Sequence, residues 1–279
     1  MRILHAAMLV SLLGCAAPTD PKEAALVAAA ARHSQVPDDL DAAIWHGRQL
    51  GYLGRFEEAI EVYTRALAQH PDDPHLLRHR GHRHISLRQF DAAVADLARA
   101  AVGLDGVPDE VEPDGIPNAR NTPTSTLHGN VWYHLGLAHF LRREYDDALR
   151  AYGECEKVAR NPDMLAATLH WKYTTLRRLG RHAEASVCVA GVRADWDIIE
   201  NHDYHRLLLL YRGDLDLTAV LATLEGGKAT TLASAGFGVA SYLRMEGRRV
   251  EADALCRRIV AEAPVAAFGR IAAEVDLGR

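Results

Sequence analysis

The sequence predicts an all-α chain, a right-handed superhelical solenoid of helix-turn-helix units, and three observations carry that expectation. The first is self-similarity. With residues 42–74 set above 75–105, Gly47 falls on Gly81, Phe56 on Phe90, Ala59 on Ala93 and Ala66 on Ala100, each pair 34 residues apart. The second is a recurring turn at positions 54, 88, 143, 180, 213 and 247, with intervals of 34, 55, 37, 33 and 34. The third is a set of fixed small-residue slots. Gly47, Gly81, Gly136 and Ala240 sit on the first helix of a unit, and Ala59, Ala93, Ala148, Ala185 and Ala252 sit on the second. Tyr63, Leu97 and Tyr152 are then expected to fill the space between successive pairs. A period in this range marks stacked units that bury their apolar faces only against neighbours.

The elements follow in order. Asp20-Pro21 supplies a cap and a first-turn proline, and the alanine-rich run to His33 stops before Pro37, giving a capping helix within 20–37. Units 1 and 2 occupy 38–104, with Pro71 ending the first because proline cannot continue a helix. Units 3 to 6 occupy 125–264, where Thr124 or Ser125 caps a helix running through Leu141. The fifth unit is the most degenerate, with Arg206 in the small-residue slot and Thr218 in the alanine slot. Pro264 ends the sixth, and 265–279 forms the closing cap that a repeat stack needs over its last apolar face. About fourteen helices result.

The third unit is the most complete, with Trp132, Leu135, Gly136, Ala148 and Tyr152 in one frame. It resembles the tetratricopeptide repeat family, whose pattern W-x2-L-G-x2-Y…A-x3-F…P is a helix-turn-helix of 34 residues. Six copies span roughly 40 to 264, most of the chain. The resemblance implies that the first helices line a concave groove that binds peptides. In this frame the groove carries Arg48, Tyr52, His75, Arg78, His82, Tyr133, Leu137, Phe140, His170, Thr174, Arg177, Arg178, Glu200, Asp203, Tyr211, Phe237 and Arg244. Arginine and histidine are prominent there, although the chain carries a net charge of −5. Such a lining favours an acidic or carboxylate-ended protein segment through charge-assisted hydrogen bonds. The Lys/Asn carboxylate clamp of some family members is not found, which disfavours a chaperone-tail receptor.

One interval exceeds the period by about 21 residues, and the excess is the segment 105–124. It holds Pro108, Pro113, Pro117 and Pro123, with Asp105, Asp109, Glu110, Glu112 and Asp114 ahead of Arg120. A loop of this length is usually functional or disordered. Its acidic first half has the composition of a disordered segment. "PDGIPN" and "NTPTST" in the second half carry turn and helix-start chemistry, so this half is expected to fold back over the groove as a lid.

Composition excludes some classes. Apolar residues make up 48% and charged residues 25%, ordinary for a globular chain, and no basic footprint marks a nucleic-acid binder. The leader "MRILHAAMLVSLLGC" has one basic residue, an apolar run too short to span a bilayer, and an ending that resembles a bacterial lipobox. Residues 1–15 are therefore expected to be an export signal, with Cys15 lipidated and the protein anchored at the outer membrane or facing the periplasm. Cys155, Cys188 and Cys256 fit apolar helix faces; a Cys155–Cys188 bond stays open.

No GxSxG, P-loop or strand-borne GxGxxG occurs, and neither HExxH nor zinc-finger spacing is present. His75, His79 and His82, or His202 and His205, share helical faces, but no three or four ligands of one site can be named. The expectation is a non-enzymatic scaffold without cofactor, holding a protein or peptide in its groove and meeting the membrane only through its lipid anchor. Two alternatives stand beside it. One is a small-molecule or metal-dependent site between the 105–124 loop and units 3–5, using His134, His170 and His202. The other is a structural subunit of an envelope assembly.

Overall fold

The computed structural model describes residues 20–113 and 116–278; the Cys15 leader lies outside them. Fourteen helices and no strands are found among the described residues. The first, α1 (Pro21–Gln35), starts where expected, with the Asp20 carboxylate accepting from the Lys22 N–H at 2.8 Å. Six helix pairs follow: α2 (Leu40–Tyr52) with α3 (Phe56–Gln69), α4 (Pro74–Ser86) with α5 (Phe90–Val102), and α6 (Leu127–Leu141) with α7 (Tyr145–Val158). Then come α8 (Pro162–Arg178) with α9 (His182–Val189), α10 (His202–Arg212) with α11 (Leu217–Ala222), and α12 (Ala229–Met245) with α13 (Arg249–Glu262). The chain ends in α14 (Phe268–Asp276). The helix cap expected at Thr124 or Ser125 is Thr126, whose hydroxyl accepts from the Gly129 N–H at 3.1 Å.

The small-residue slots work within a pair rather than only between pairs. A Cβ on Gly81 would lie 2.7 Å from the Leu97 side chain, and one on Gly136 would lie 2.5 Å from the Tyr152 ring. Gly47 faces Tyr63 in the same way. Tyr63, Leu97 and Tyr152 thus fill the hollow left by the glycine of their own first helix and are fully buried. Ala59, Ala93, Ala148, Ala185 and Ala252 are buried as well, which lets the paired backbones approach closely. Arg206 cannot play this part. It turns to Asp203 at 3.2 Å, and the close contact passes to Gly238 of α12, which seats against Leu207.

Every expected turn is left-handed. Gly54, Gly180, Gly213 and Gly247 have φ between 73° and 86°, and Arg88 and Arg143 have φ of 61° and 64°. At each turn the next N–H donates to the carbonyl five residues back, as in Arg55 to Leu50, Gln89 to His84 and Glu144 to His139. This closes the helix in a Schellman arrangement.

The fourth unit departs from the period. Its second helix α9 has only 8 residues, and 190–201 is irregular. The buried carboxylate of Asp163 fixes this stretch by accepting from the N–H groups of Ile199, Glu200 and Asn201 at 2.7–2.8 Å.

The first helices stand in a row, each touching the next, and the row curls far enough for α8 to meet α12 and α6 to meet α14. Phe140, Trp171 and Phe237 meet at the centre, with ring centroids 5.1–6.4 Å apart. The closing helix is therefore more than an end cap. It buries Ile271, Ala272 and Ala273 and packs across the inside of the curl. The two non-glycine turn residues explain how it is held. Arg88 binds Glu274 through two bonds of 2.9 Å and the Val265 carbonyl at 2.9 Å, and Arg143 donates to the Val275 carbonyl at 2.8 Å.

A non-glycine residue in the left-handed region costs about 1 kcal/mol. Arg143 recovers one exposed hydrogen bond, whereas Arg88 recovers a largely buried bidentate pair. Arg143→Gly is expected to raise stability by up to about 1 kcal/mol and Arg88→Gly to lower it by about 1–2 kcal/mol. Urea denaturation of the two variants side by side checks the opposite signs.

Candidate functional site

The expected groove residues separate into three sets. Leu137, Phe140, His170, Thr174 and Phe237 are buried, as is nearly all of Tyr133, so they belong to the core and not to an open lining. The reason is the curl: inner positions of the third, fourth and sixth units face one another across the axis and are sealed by α14. His170 stacks on Tyr204 at 4.8 Å, and its Nδ1 bonds to the Tyr211 hydroxyl at 3.1 Å. The Thr174 hydroxyl donates to the His170 carbonyl, and Tyr211 lies flat on Tyr173 at 4.1 Å. The Tyr133 hydroxyl accepts from Trp171 Nε1 at 2.9 Å.

A second set is engaged by the chain's own helices. Arg178 and Arg244 both bind Asp276 of α14, and Arg244 also binds Asp253. Arg177 donates to the Tyr173 hydroxyl at 2.9 Å, and Asp203 accepts from Ser234 at 2.7 Å.

The third set meets the inserted loop. Arg78 pairs with Glu112 at 2.6 Å, with both side chains almost fully buried, and Asn130 Nδ2 donates to the same carboxylate at 2.6 Å. His75 meets Glu110 at 2.9 Å, and Arg48 donates to the Pro113 carbonyl at 2.8 Å and to the Tyr52 hydroxyl at 3.2 Å. The loop is held further by a bridge between Val111 and Thr126 and by the Thr124 hydroxyl donating to Glu200 at 2.7 Å. Arg120 clasps Asp197 at 2.8 Å. The acidic half, expected to be disordered, is seated as well as the second half, which folds back through Arg120 and Thr124. Composition suggested disorder because it could not show Arg78 and Asn130 waiting on α4 and α6.

Between the loop, α6, α8 and α14 lies a cavity of about 380 Å³, lined by Arg78, His82, Asn130, Tyr133, His134 and Phe268 among others. His82 and His134 lie tilted against each other there, with ring centroids 4.4 Å apart. Of the three histidines expected at a small-molecule site, only His134 reaches it; His170 is sealed in the core and His202 is exposed at the start of α10. His75, His79 and His82 do not converge either, since each takes a different partner.

His139, Glu144 and Asp147 place ligand atoms within 4.8 Å of one another. They are already tied by His139–Glu144, Arg142–Glu144 and Arg150–Asp147 contacts. A cavity of about 680 Å³ lies away from the groove between α7, α8 and α9. Its rim charges pair with each other, as in Arg181–Glu184 and Lys172–Glu156. Cys155, Cys188 and Cys256 are free thiols; Cys155 bonds Thr168 at 3.1 Å while Cys188 points at the Leu169 carbonyl, so the open Cys155–Cys188 bond is not formed.

Burial pushes His134 down to about 3, with the Arg78 charge adding to it, and burial alone pushes His170 down to about 3. Both are neutral when folded and protonate near 6.5 when unfolded. Their contribution is complete above about pH 6.5 and is lost as pH falls from there toward 3. At pH 5 each should cost about 2 kcal/mol of stability. Denaturation at pH 7 and pH 5 reads this, and His170→Phe should reduce the difference by about 2 kcal/mol.

Sequence comparison matches residues 46–110 to the tetratricopeptide repeat family. No curated protein matches the chain in sequence. A tetratricopeptide repeat protein from Parabacteroides merdae ATCC 43184 shares the fold with a TM-score of 0.54 at 12% identity, over 90% of this chain and 92% of that one. YrrB, a TPR protein with an unusual peptide-binding site, aligns with a TM-score of 0.47 at 14% identity, over 87% and 97% of the two chains. The matched units at 46–110 and the same paired geometry continuing to α13 make the chain similar in fold to tetratricopeptide repeat proteins.

Proposed function

We propose that the protein is a non-enzymatic scaffold that holds an acidic segment of a partner protein against its first three repeats, in place of its own loop. The observation that supports this most is the seating of residues 110–113. Glu110, Glu112 and the Pro113 carbonyl run along α2, α4 and α6 and engage His75, Arg78, Asn130 and Arg48. The inner face there is matched to an extended acidic chain through charge-assisted side-chain bonds and a main-chain carbonyl. Beside α14, the loop is the weaker occupant. Val107, Val111 and Ile116 are exposed, so releasing it uncovers little apolar surface, whereas α14 is part of the core.

The test uses the loop as its own probe. Residues 106–122 are replaced by a short glycine-serine link, and a synthetic peptide of residues 107–114 is added in trans. The shortened protein should bind the peptide, Arg78→Met should weaken binding by tenfold or more, the worth of a buried charged bond, and the full chain should bind it poorly. Equal binding by the shortened protein and its Arg78→Met form would sink the reading.

One observation favours a second reading, a small-molecule site between the loop and the middle repeats. The 380 Å³ cavity is within the size range of ligand pockets and mixes aromatic with buried polar groups. A peptide-blind shortened protein would bring it forward.

Export and lipid anchoring at Cys15 belong to the same proposal, supported by the leader's apolar run and Leu-Leu-Gly-Cys ending. Fatty-acid labelling in a bacterial host should mark the protein and be abolished in Cys15→Ser. Labelling that survives the substitution would remove the anchor from the reading.

A further inference from the structure

Where α2 and α4 meet, three guanidinium groups face one cavity of about 130 Å³. Arg48, Arg78 and Arg83 line it, together with His79, His82 and the tyrosines of α2 and α3. The sequence makes room for this arrangement. Gly51 lies directly under the Arg83 guanidinium, so close that any Cβ there would collide with Nη1.

Among the described residues the charges are poorly matched. Glu112 is the one carboxylate paired with the three arginines, and it is spent on Arg78 Nη2. Arg78 is 9% exposed, yet its Nε has no partner. Arg48 meets only neutral groups, the Tyr52 hydroxyl, the Pro113 carbonyl and the Trp45 ring at 4.4 Å. Arg83 rests on the face of Phe56 at 5.4 Å, and burial with its arginine neighbours brings it down to about 10. His79 accepts from Arg78 through Nδ1, and burial keeps both histidines neutral. Three positive charges, one buried and two half-buried, against one negative leave two in excess around the cavity, a state that a counter-charge relieves.

From this mismatch, we infer that the cavity between α2 and α4 is a binding site for a small dianionic oxyanion of the phosphate type. A phosphoryl group carries about −1.5 to −2 at neutral pH, which balances the excess. Arginine forks suit its oxygens, with Arg83 and the free Arg78 Nε as donors and the Tyr52 hydroxyl within the same lining. The source can be the free ion or a phosphomonoester. Arg78 and His82 also line the 380 Å³ cavity, which is where the organic part of an ester would lie. The inference shares Arg48 and Arg78 with the peptide reading, and what separates the two is Arg83, for which no hydrogen bond or ion pair to the loop is found among the described residues.

The experiment is calorimetric titration of the full chain with inorganic phosphate, glycerol phosphate, and acetate at matched ionic strength. Phosphate should bind one to one and acetate should not. Tighter binding of glycerol phosphate assigns an ester, and weaker binding assigns the free ion. Arg83→Met should weaken phosphate by roughly tenfold or more while raising the thermal midpoint in phosphate-free buffer, because it removes an unbalanced half-buried charge. Gly51→Ala keeps the charge, displaces the guanidinium and should also weaken phosphate. Acetate equal to phosphate, or phosphate affinity unchanged in both variants, overturns the site.

Discussion

The close approach inside each helix pair is the constraint on which the other features depend. A glycine on the first helix opens a hollow, and a tyrosine or leucine from the second fills it without a void. The hollow recurs at the same place in the first three repeats, so their helices pair in the same way, and the stacked pairs form a curved row of first helices. The left-handed turn supports this by returning the chain in the same number of residues each time. The pattern bends between the fourth and fifth repeats: α9 is short, 190–201 is irregular and held by the buried carboxylate of Asp163, and Arg206 stands in the small-residue slot of α10. The buried core is thus a sum of local fits, as expected of a repeat protein whose units contact mainly their neighbours.

Curvature carried this far has an electrostatic consequence. Inner faces that would be open in a shallow solenoid meet one another, so their apolar residues fuse into one core and their charged residues must find partners within the chain. Two segments supply them. The closing helix brings Glu274 and Asp276 to arginines from the second, fourth and sixth repeats, and the inserted loop brings Glu110 and Glu112 to His75 and Arg78 of the second. Both segments are acidic and both answer basic inner positions. They differ in hold. The helix is fixed by apolar burial, and the loop by ion pairs and a single bridge, so only the loop belongs to the low-stability end from which binding elements are drawn.

Much of the fold could be read from the chain because its causes are local. Glycine and alanine at a period of 34, caps at Asp20, Asp73 and Asn161, and a turn every repeat are properties of short stretches, and each stands where the residues place it. The location of the long insertion was equally plain. Which inner residues would be open was not. Leu137, Thr174 and His170 occupy the right helix face but lie in the core, since burial there depends on how far the whole stack curls. Arg88 and Arg143 were a sign that could have been used: arginine in two turns where glycine is the easy choice points to a distant partner.

The sequence by itself determined the helices, their pairing and the register of the repeats, because these follow from backbone conformation and from side chains within one repeat of each other. The tertiary structure decided what the inner face holds. The Arg88–Glu274 contact joins residues 186 apart, and Arg78–Glu112 joins a helix to a loop whose composition alone suggests solvent. Such pairings are set by the sum of small rotations along the stack, a quantity that no single stretch of residues contains.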